Sequence, residues 1–505
     1  MKKTVSVLRG KYAGVICAAI AVVFGVSLYF FREEFLAWVH LPLVGVLAAL
    51  CGVCFALIAL ALYVQKKEKS PLKVFLGALA FFEIVLWGLL TLINVGGAFN
   101  KRAIAIASAV VVPIFCAMCV ALFLIRTKTW NRHLRRVLAA LLILVFAAGS
   151  LVSVFPHPME LIPYVDTALH GGEKAFFENW SETQVYTADY AVELKKDPEK
   201  DFVVLNLADV QLDNGEALGD VGKQVKDNTD RLVAETQPDL ITLTGDNAWG
   251  DMAYIELIKM IDSYGIPWAP VMGNHDGQGC ISEFWVAYKL THAKNCLFKF
   301  GPADMGYGNY IINITENGKV IHTLFMMDTH SEIEADNING KKDEGYDHLW
   351  PGQFEWYAWA VDGIAATAGE PVESTVIFHI PLYEYHDAWE AATGQTEQKK
   401  EFDPPYIGEY ADTSFGVRHE GSGTPPESNG FFDLLKEKGS TKNVVCGHDH
   451  VCDSSILYEG IRLTYAVKDG PGCYWEPELN GGTLIRIGSD GHADVEHHYI
   501  DFYGE

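Results

Sequence analysis

The chain has 505 residues, a net charge of −25, 20% charged residues and 50% hydrophobic residues, which exclude a disordered, collagen-like or small disulfide-stabilised protein. The charge is unevenly distributed. Residues 1–159 carry 16 Lys and Arg against four acidic residues, and the remainder carries 23 basic and 60 acidic residues. So acidic a region argues against binding to nucleic acid duplexes, which need a basic surface. It is compatible with a phosphorylated substrate, because bound metal ions reverse the local field.

The N-terminal region, residues 1–155, contains apolar segments of about 19–23 residues, long enough to cross a hydrocarbon core of about 30 Å. None of them shows a polar face, which argues against buried helices of a soluble domain. The first is longer than a signal peptide and no cleavage pattern follows it, so we interpret it as an uncleaved anchor. The sequence predicts an all-α transmembrane bundle of five spans, near 13–31, 43–64, 74–95, 103–125 and 137–155.

Loop charges predict how this bundle is oriented. Thirteen Lys and Arg lie at the N-terminus and in the 65–73 and 126–136 loops, against three in the intervening loops. The positive-inside rule then places the N-terminus in the cytoplasm, and an odd number of spans places the C-terminal domain outside it. Glu83 lies within a span, and we interpret it as a polar contact between helices rather than a functional site, because no acidic or basic partner lies in the spans.

The rest of the chain has the pattern of an α/β domain. Residues 156–199 form a proline-containing connector, and from residue 200 to 505 apolar runs alternate with segments of helical spacing, such as 227–238. Several apolar runs end in polar residues, which predicts a sheet with its site beyond the carboxyl ends of its strands. The predicted strands are FVVLNLA (202–208), DLITLTGD (239–246), IPWAPVMGNHD (266–276), STVIFHIP (374–381) and KNVVCGHDH (442–450).

Metal-ligand residue types cluster at these five strand ends. Carboxylates, imidazoles and amide oxygens suit borderline-hard ions such as Mn, Fe or Zn, and there are more of them than one tetrahedral ion needs. We therefore predict two metal ions rather than one. Any single residue of this set is explained as well by a helix cap or a turn, but five converging strand ends are not. The predicted ligands and their neighbour are Asp209, Gln211, Asp246, Asn274, His275, His379, His448 and His450.

The motifs at these positions resemble those of calcineurin-like metallophosphoesterases. LADVQ, LTGDNAWG, MGNHD, FHIPLYEY and VCGHDHV occur in the family's order, and GVRHEG and SNGFFDLL resemble the purple-acid-phosphatase-like branch. The resemblance covers about residues 200–500 and leaves the membrane region out. It implies a four-layer α/β sandwich with mixed sheets and a phosphoric ester hydrolase that uses two metal ions.

The resemblance also implies a role for each residue. Asp246 would bridge both metals, and His275 would contact the phosphoryl group or protonate the leaving oxygen. Asp276 would orient His275. The remaining ligands would divide into Asp209 and His450 at one metal, and Asn274, His379 and His448 at the other.

Two positions depart from the usual family pattern. Position 211 is Gln where most members have His, and a neutral oxygen donor weakens that metal site or favours a harder ion such as Mn or Mg. Trp249 lies near the place where true purple acid phosphatases have a metal-bound Tyr. Because indole cannot bind the metal, we expect no purple charge-transfer colour.

Residues 383–430 separate two of the ligand strands and are rich in aromatic residues, Gly and Pro. A long insertion of this kind is typical of a substrate rim. Within it, Arg418 is a candidate contact for phosphate or carboxylate, and an ion pair with Glu420 explains it equally well. Other histidines fit solvated surface positions, namely His386, His419, His497 and His498.

The leading functional hypothesis is a membrane-anchored, outward-facing phosphoesterase in the cell membrane. Its substrates would be phosphorylated small molecules, lipid-linked phosphates or cell-envelope polymers, with membrane lipid as a neighbour. The alternative is a catalytically weak sensor that binds a ligand without turnover and signals through the bundle, for which Gln211 is the best support. A transporter is disfavoured, because the predicted spans show a single central charge and no repeat.

Overall fold

A computed structural model of the chain describes residues 162–217, 219–277, 281–332, 345–396 and 403–501. Within these ranges, no helix is both long enough and apolar enough to span a bilayer. The five predicted spans and Glu83 lie outside the described residues. Residues 163–505 form one compact unit.

Two mixed β-sheets form the centre of this unit. The smaller has five strands in the order β14-β13-β2-β4-β6, in which β2, β4 and β6 are parallel and β13 runs antiparallel to both of its neighbours. Its strands are β2 (Phe202–Leu207), β4 (Leu240–Leu243), β6 (Trp268–Pro270), β13 (Gly481–Ile487) and β14 (Ala493–Tyr499).

The larger sheet has seven strands in the order β1-β7-β8-β9-β10-β12-β11. The strands β8, β9, β10 and β12 are parallel, so their carboxyl ends meet at one edge. The strands are β1 (Val192–Lys195), β7 (Tyr310–Glu316), β8 (Lys319–Met326), β9 (Glu373–Ile377), β10 (Thr441–Cys446), β11 (Ser455–Tyr458) and β12 (Ile461–Tyr465). A short ribbon pairs β3 (Leu212–Asp213) with β5 (Ala248–Trp249).

Eight α-helices are present in the described residues. They are α1 (Ile162–Leu169), α2 (Asn214–Ala217), α3 (Asp220–Thr236), α4 (Asp251–Ser263), α5 (Glu283–Thr291), α6 (Pro351–Ala368), α7 (Glu384–Thr393) and α8 (Phe431–Lys438). Helix α3 buries Val225, Thr229 and Leu232, the spacing of one helical face. Helix α6 begins with Pro351 and is closed by Gly369 in the left-handed conformation, as helix-end preferences lead one to expect.

Two apolar cores hold these layers together. The first joins the two sheets and the helices beside the five-stranded sheet, with Leu205, Ile241 and Ile377 among its fully buried members. The second lies on the other face of the seven-stranded sheet, where Trp356 of α6 and Phe431 of α8 pack. The order helix, sheet, sheet, helix agrees with the α/β fold with mixed sheets that the sequence motifs imply.

The segment predicted as a connector contributes to this fold. Strand β1, at residues 192–195, pairs in parallel with β7 at the edge of the seven-stranded sheet. Lys196, which follows it, is buried and donates to Glu316 over 2.7 Å. The alternation of apolar and polar residues in VELK is too short to predict a strand. The segment forms a strand because it pairs with β7, which sets its register.

Candidate metal centre

The ends of strands from both sheets meet at one place. Strands β2 and β4 end just before Asp209 and Asp246, and β9 and β10 end just before His379 and His448. In both sheets these neighbours run parallel, so their carboxyl ends point the same way. A carboxylate oxygen of Asp209, one of Asp246 and a ring nitrogen of His379 lie within 4.8 Å of one another.

The backbone at the ligand positions adopts a costly conformation. Asp209, Gln211, Asp246 and His448 have φ of 50°, 46°, 47° and 80°, a region that residues other than glycine seldom occupy. Such conformations cost roughly 1–3 kcal/mol each and are concentrated at functional sites. At these positions the backbone bends sharply just after a strand, and each side chain is buried in the site.

One glycine shows how closely the loops approach. A Cβ added to Gly273 would lie 2.1 Å from the backbone nitrogen of Asp246, which no side chain tolerates. The glycine that precedes Asn274 in GNHD is therefore needed so that the β4 and β6 loops can touch.

One group of ligand atoms surrounds Nε2 of His379. That nitrogen lies 2.9 Å from Oδ1 of Asn274, 3.2 Å from Nδ1 of His448 and 3.4 Å from Oδ1 of Asp246. Its other ring nitrogen, Nδ1, donates to the carbonyl oxygen of Thr244 over 2.8 Å. In the neutral ring this hydrogen bond fixes the proton on Nδ1, so Nε2 presents a lone pair to the other acceptors.

The second group contains Asp209, Gln211 and His450. Nε2 of His450 lies 3.6 Å from Oδ1 of Asp209, and Nδ1 of His450 donates to the carbonyl oxygen of Tyr474 over 3.0 Å, so this ring also presents a lone pair. Gln211 donates from Nε2 to Oδ2 of Asp246 over 3.0 Å. Its Oε1 is buried without a hydrogen-bond partner. A buried carbonyl oxygen without a donor beside carboxylates and imidazoles is able to bind a metal ion.

Burial sets the charge state of the histidines. It lowers the pKa of His379, lowers that of His448 well below its ordinary value and lowers that of His450 to about 2. These rings are therefore neutral, as metal ligation requires. Burial also raises the pKa of Asp209 well above its usual range, against the opposing charge of Lys468.

The arrangement fits a metal ion better than it fits a network of hydrogen bonds. Lone pairs of His379, Asn274 and Asp246 face one another at hydrogen-bonding distance, with protons committed elsewhere. A cation between them satisfies all of them at once, and the mixture of nitrogen and oxygen donors suits a first-row transition metal. The residues present therefore fit the metal centre that the sequence predicts.

His275 lies at the solvent side of this cluster. Its backbone nitrogen donates to Oδ1 of Asp246 over 2.8 Å, and its Nε2 is 3.9 Å from Oδ2 of the same carboxylate. The ring stacks on Trp249, with centroids 5.1 Å apart and planes 16° apart. His275 is half-buried, so its imidazole is within reach of a group bound at the cluster.

The carboxylate of Asp276, next to His275 in the sequence, connects two loops and a helix. It accepts hydrogen bonds from the backbone nitrogens of Gly273, Asn247 and Ala248, from Nδ2 of Asn247 and from the hydroxyl of Tyr254. It therefore joins the β4 and β6 loops to α4, and the orienting role toward His275 that the resemblance implies stays a prediction. The family motif places Asp276 beside His275 along the chain, and only the turn between them decides where its side chain points.

Arg418 is buried rather than exposed on a rim. Its Nε donates to the carbonyl oxygen of Glu420 over 3.0 Å, and its guanidinium lies 5.7 Å from the ring centroid of Trp389. Its charge also acts on Asp449, the residue between two ligands, whose pKa burial raises to about 7. Neither of these contacts reaches the ligand atoms, and a substrate contact by Arg418 stays a prediction.

Sequence reasoning missed two residues beside the cluster. Lys468, which follows β12, is buried, and its Nζ donates to the carbonyl oxygen of Asp209. The ring of Tyr346 packs edge-on against His448 with centroids 4.2 Å apart. The sequence AVKDG does not by itself identify Lys468 as a site residue. Its place in the site follows only once the strand before it is known to lie beside β10.

The cysteines in the described part of the chain are unpaired. Cys296, Cys446, Cys452 and Cys473 carry free thiols, and Cys473 alone among them is exposed. Cys280 lies outside the described residues.

Comparisons with known proteins identify a family and several relatives. The family model for calcineurin-like phosphoesterases matches residues 202–452. The chain is 29% identical over 283 residues to Arabidopsis thaliana "probable inactive purple acid phosphatase 14", covering 51% of this chain and 64% of that protein. It is 28% identical over 327 residues to Saccharomyces cerevisiae phosphatase DCR2, covering 59% of this chain and 52% of that protein. The chain thus spans less than two thirds of the length of these relatives.

Among solved structures, the chain is similar to a dimetal phosphatase from Danio rerio. The two share 11% sequence identity and a TM-score of 0.37, over 59% of this chain and 96% of that one.

Proposed function

Since residues 202–452 form a calcineurin-like metallophosphoesterase domain with purple-acid-phosphatase-like homologues, we propose that the chain hydrolyses phosphate esters or diphosphates at a centre of two metal ions. The observation that carries this proposal is the convergence of Asp209, Asp246 and His379 ligand atoms within 4.8 Å, beside the orphaned Oε1 of Gln211. Mn, Fe or Zn suits these donors. The ligands would divide into Asp209, Gln211 and His450 for one ion, Asn274, His379 and His448 for the other, and Asp246 for both.

The chemistry needs an attacking water, charge neutralisation and a proton for the leaving group. Two ions bound at this site would activate the water and neutralise charge on the phosphoryl group. As the water oxygen bonds to phosphorus, the bond from phosphorus to the leaving oxygen breaks, and its electron pair stays with that oxygen. In this proposal His275, beside Asp246, gives that oxygen a proton, a contribution of about 10²–10⁴ in rate.

We also propose that the domain faces the outside of the cell membrane and acts on phosphorylated small molecules, lipid-linked phosphates or envelope polymers. This rests on the five apolar segments of residues 1–155 and the distribution of their loop charges. The acidic character of the domain disfavours nucleic acid duplexes as partners.

A second candidate function is ligand sensing without turnover. It is favoured by Gln211, a neutral donor where most family members have imidazole, and by the word inactive in the name of the Arabidopsis relative. Against it stands His275, since a binding module has no use for a proton donor beside the metal ligands.

The experiment is hydrolysis by the full-length chain, stripped of metal and then supplied with Mn, Fe, Zn or Mg. Substrates are p-nitrophenyl phosphate, its bis ester and a nucleoside diphosphate. We expect metal-dependent turnover that falls about a hundredfold or more in Asp246→Asn, whereas the exposed Asp227→Asn control retains it. Tight metal binding without turnover would favour the sensor, and absence of metal binding would contradict both functions.

A further inference from the structure

Three aromatic side chains pack around the candidate metal centre. Trp249, Tyr346 and Tyr474, which we call the aromatic mouth, each pack against a different histidine of the site. Aromatic residues in an apolar core are common, but these do not belong to either core cluster. Their common feature is contact with histidines that would bind a metal ion or protonate a leaving group.

Two rings of the aromatic mouth are open to solvent. Trp249 is 40% exposed although it stacks on His275, and Tyr474 is 51% exposed although it stacks on His450 with centroids 4.2 Å apart. A large aromatic side chain left exposed beside a polar site is a surface on which a ligand can pack. Because the rings touch the site histidines themselves, a group packed on them lies close to the predicted metal ligands.

Carboxylates accompany these rings. Oε2 of Glu420 accepts a hydrogen bond from the hydroxyl of Tyr474 over 2.8 Å, and its Oε1 accepts one from the backbone nitrogen of Val451 over 2.9 Å. The backbone of Glu332 forms an isolated β-bridge with the backbone of Tyr346, which brings a second acidic residue next to the mouth. Donation to a carboxylate makes the Tyr474 ring richer in electrons, and an electron-rich ring attracts a cation more strongly.

Glu420 is the carboxylate that geometry places at the mouth. It is not among the predicted metal ligands, and it accepts the hydrogen bond from the exposed Tyr474 ring directly. A bound group with a positive charge is stabilised there, and a group with further negative charge is repelled.

We propose that the aromatic mouth selects phosphate esters whose leaving alcohol carries an ammonium group, as in esters of choline or ethanolamine. The phosphate would bind the metals, and the ammonium would lie against the faces of Trp249 and Tyr474 near the carboxylate of Glu420. The proposal deepens the proposed function and rests on it. A flat aryl leaving group would also stack on these rings, but it gains nothing from Glu332 and Glu420.

The test compares two ligands of equal shape that differ in charge. One is the phosphonate analogue of choline phosphate, and the other is its uncharged isostere, with a tert-butyl group in place of trimethylammonium. Neither can be hydrolysed, so calorimetric titration of the metal-loaded full-length chain measures binding whether or not the protein turns substrate over. We expect the charged ligand to bind about tenfold more tightly. Hydrolysis of choline phosphate and phenyl phosphate is measured beside it.

Side-chain variants assign the selectivity to the rings. We expect Tyr474→Leu and Trp249→Leu each to reduce the binding ratio several-fold, and Tyr474→Phe to retain most of it because the ring is kept. Melting curves and metal content identify a variant that fails to fold, in which case the wild-type ratio decides alone.

Equal binding of the two ligands, tighter binding of a phenylphosphonate, or an unchanged ratio in both Leu variants would each overturn the proposal. Selective binding without hydrolysis of any ester would uphold the mouth and refute the hydrolase. Hydrolysis without selective binding would uphold the hydrolase and refute the aromatic mouth.

Discussion

Gln211 carries a buried oxygen, Oε1, that makes no hydrogen bond and is therefore available to a metal ion. Because Oε1 is buried without a donor and Nε2 is committed to Asp246, we expect Gln211→Ala to weaken binding of the more loosely held metal by about tenfold or more. Calorimetric titration of the metal-free protein with Mn measures this.

The exposed Gln184→Ala serves as the matched control, and we expect it to leave metal affinity unchanged. Equal affinity in Gln211→Ala and the parent chain would show that Gln211 is not a ligand.

Lys468 supports the backbone at Asp209, one of the predicted metal ligands. Its ammonium is buried and donates to the carbonyl oxygen of Asp209, a residue whose φ of 50° needs support. Lys468→Met leaves that oxygen without a donor, so we expect the free energy of unfolding to fall by about 1–3 kcal/mol. Urea denaturation of the metal-free chain measures the change, with the exposed Lys223→Met as control. A midpoint that moves no further than in the control would contradict this role.

At the residue scale, the sequence predicted a cluster that the structure brings together, and the reasons differ from residue to residue. Asp209 and His379 directly follow apolar strands, so their position could be read from the chain. Asp276 could not be assigned, because its carboxylate turns toward Tyr254 and the β4 loop. Lys468 was missed because its contact with Asp209 joins residues from opposite ends of the domain.

Among the elements, the insertion at 383–430 is held by a carboxylate–imidazole–carboxylate bridge. His419, predicted as a solvated surface residue, contacts Glu476 through Nδ1 over 2.6 Å and Asp403 through Nε2 over 2.7 Å. Partial burial opposes its protonation, but these two hydrogen bonds prevail and raise the pKa of His419. The bridge joins the insertion to the loop that carries Tyr474.

This bridge predicts a stability that depends on pH. Since the pKa of His419 is raised in the folded chain, the stabilisation is fully present below the unfolded value of about 6.5 and is lost as the pH rises through the folded value. We expect His419→Gln to cost about 0.5–1 kcal/mol at pH 6 and little at pH 9. Denaturation at both pH values measures it, and Glu476→Gln should show the same trend. An equal cost at pH 6 and pH 9 would rule the bridge out.

A strand could be predicted when its own residues mark it as a strand. It could not be predicted when only pairing with a neighbouring strand fixes its position. Strands β2, β4, β9 and β10 are buried apolar runs, so their existence followed from composition alone. The hairpin of β13 and β14 was not predicted. Its second strand, ADVEHHY, is polar on its exposed side and contains few apolar residues, and it is fixed by pairing with its neighbour.

For the molecule as a whole, membrane orientation yields a labelling prediction. Cys473 is an exposed thiol beside the aromatic mouth, so it reports which side of a membrane the domain occupies. We expect a membrane-impermeant maleimide to label the chain in intact cells, and the labelling to be reduced in Cys473→Ser. Labelling of Cys473 only after the cells are lysed would refute the outward orientation.

The sheet order has a consequence for how the chain is made. Strand β2 lies between β4 and β13, and β13 does not exist until residue 487 has been synthesised. At about 5–20 residues per second, the ribosome needs on the order of tens of seconds to go from one to the other. Throughout that interval, the edge of β2 that precedes Asp209 has no partner. Under the outward orientation that we propose, a sheet completed this late would let the chain cross a translocation channel unfolded and bind metal afterwards.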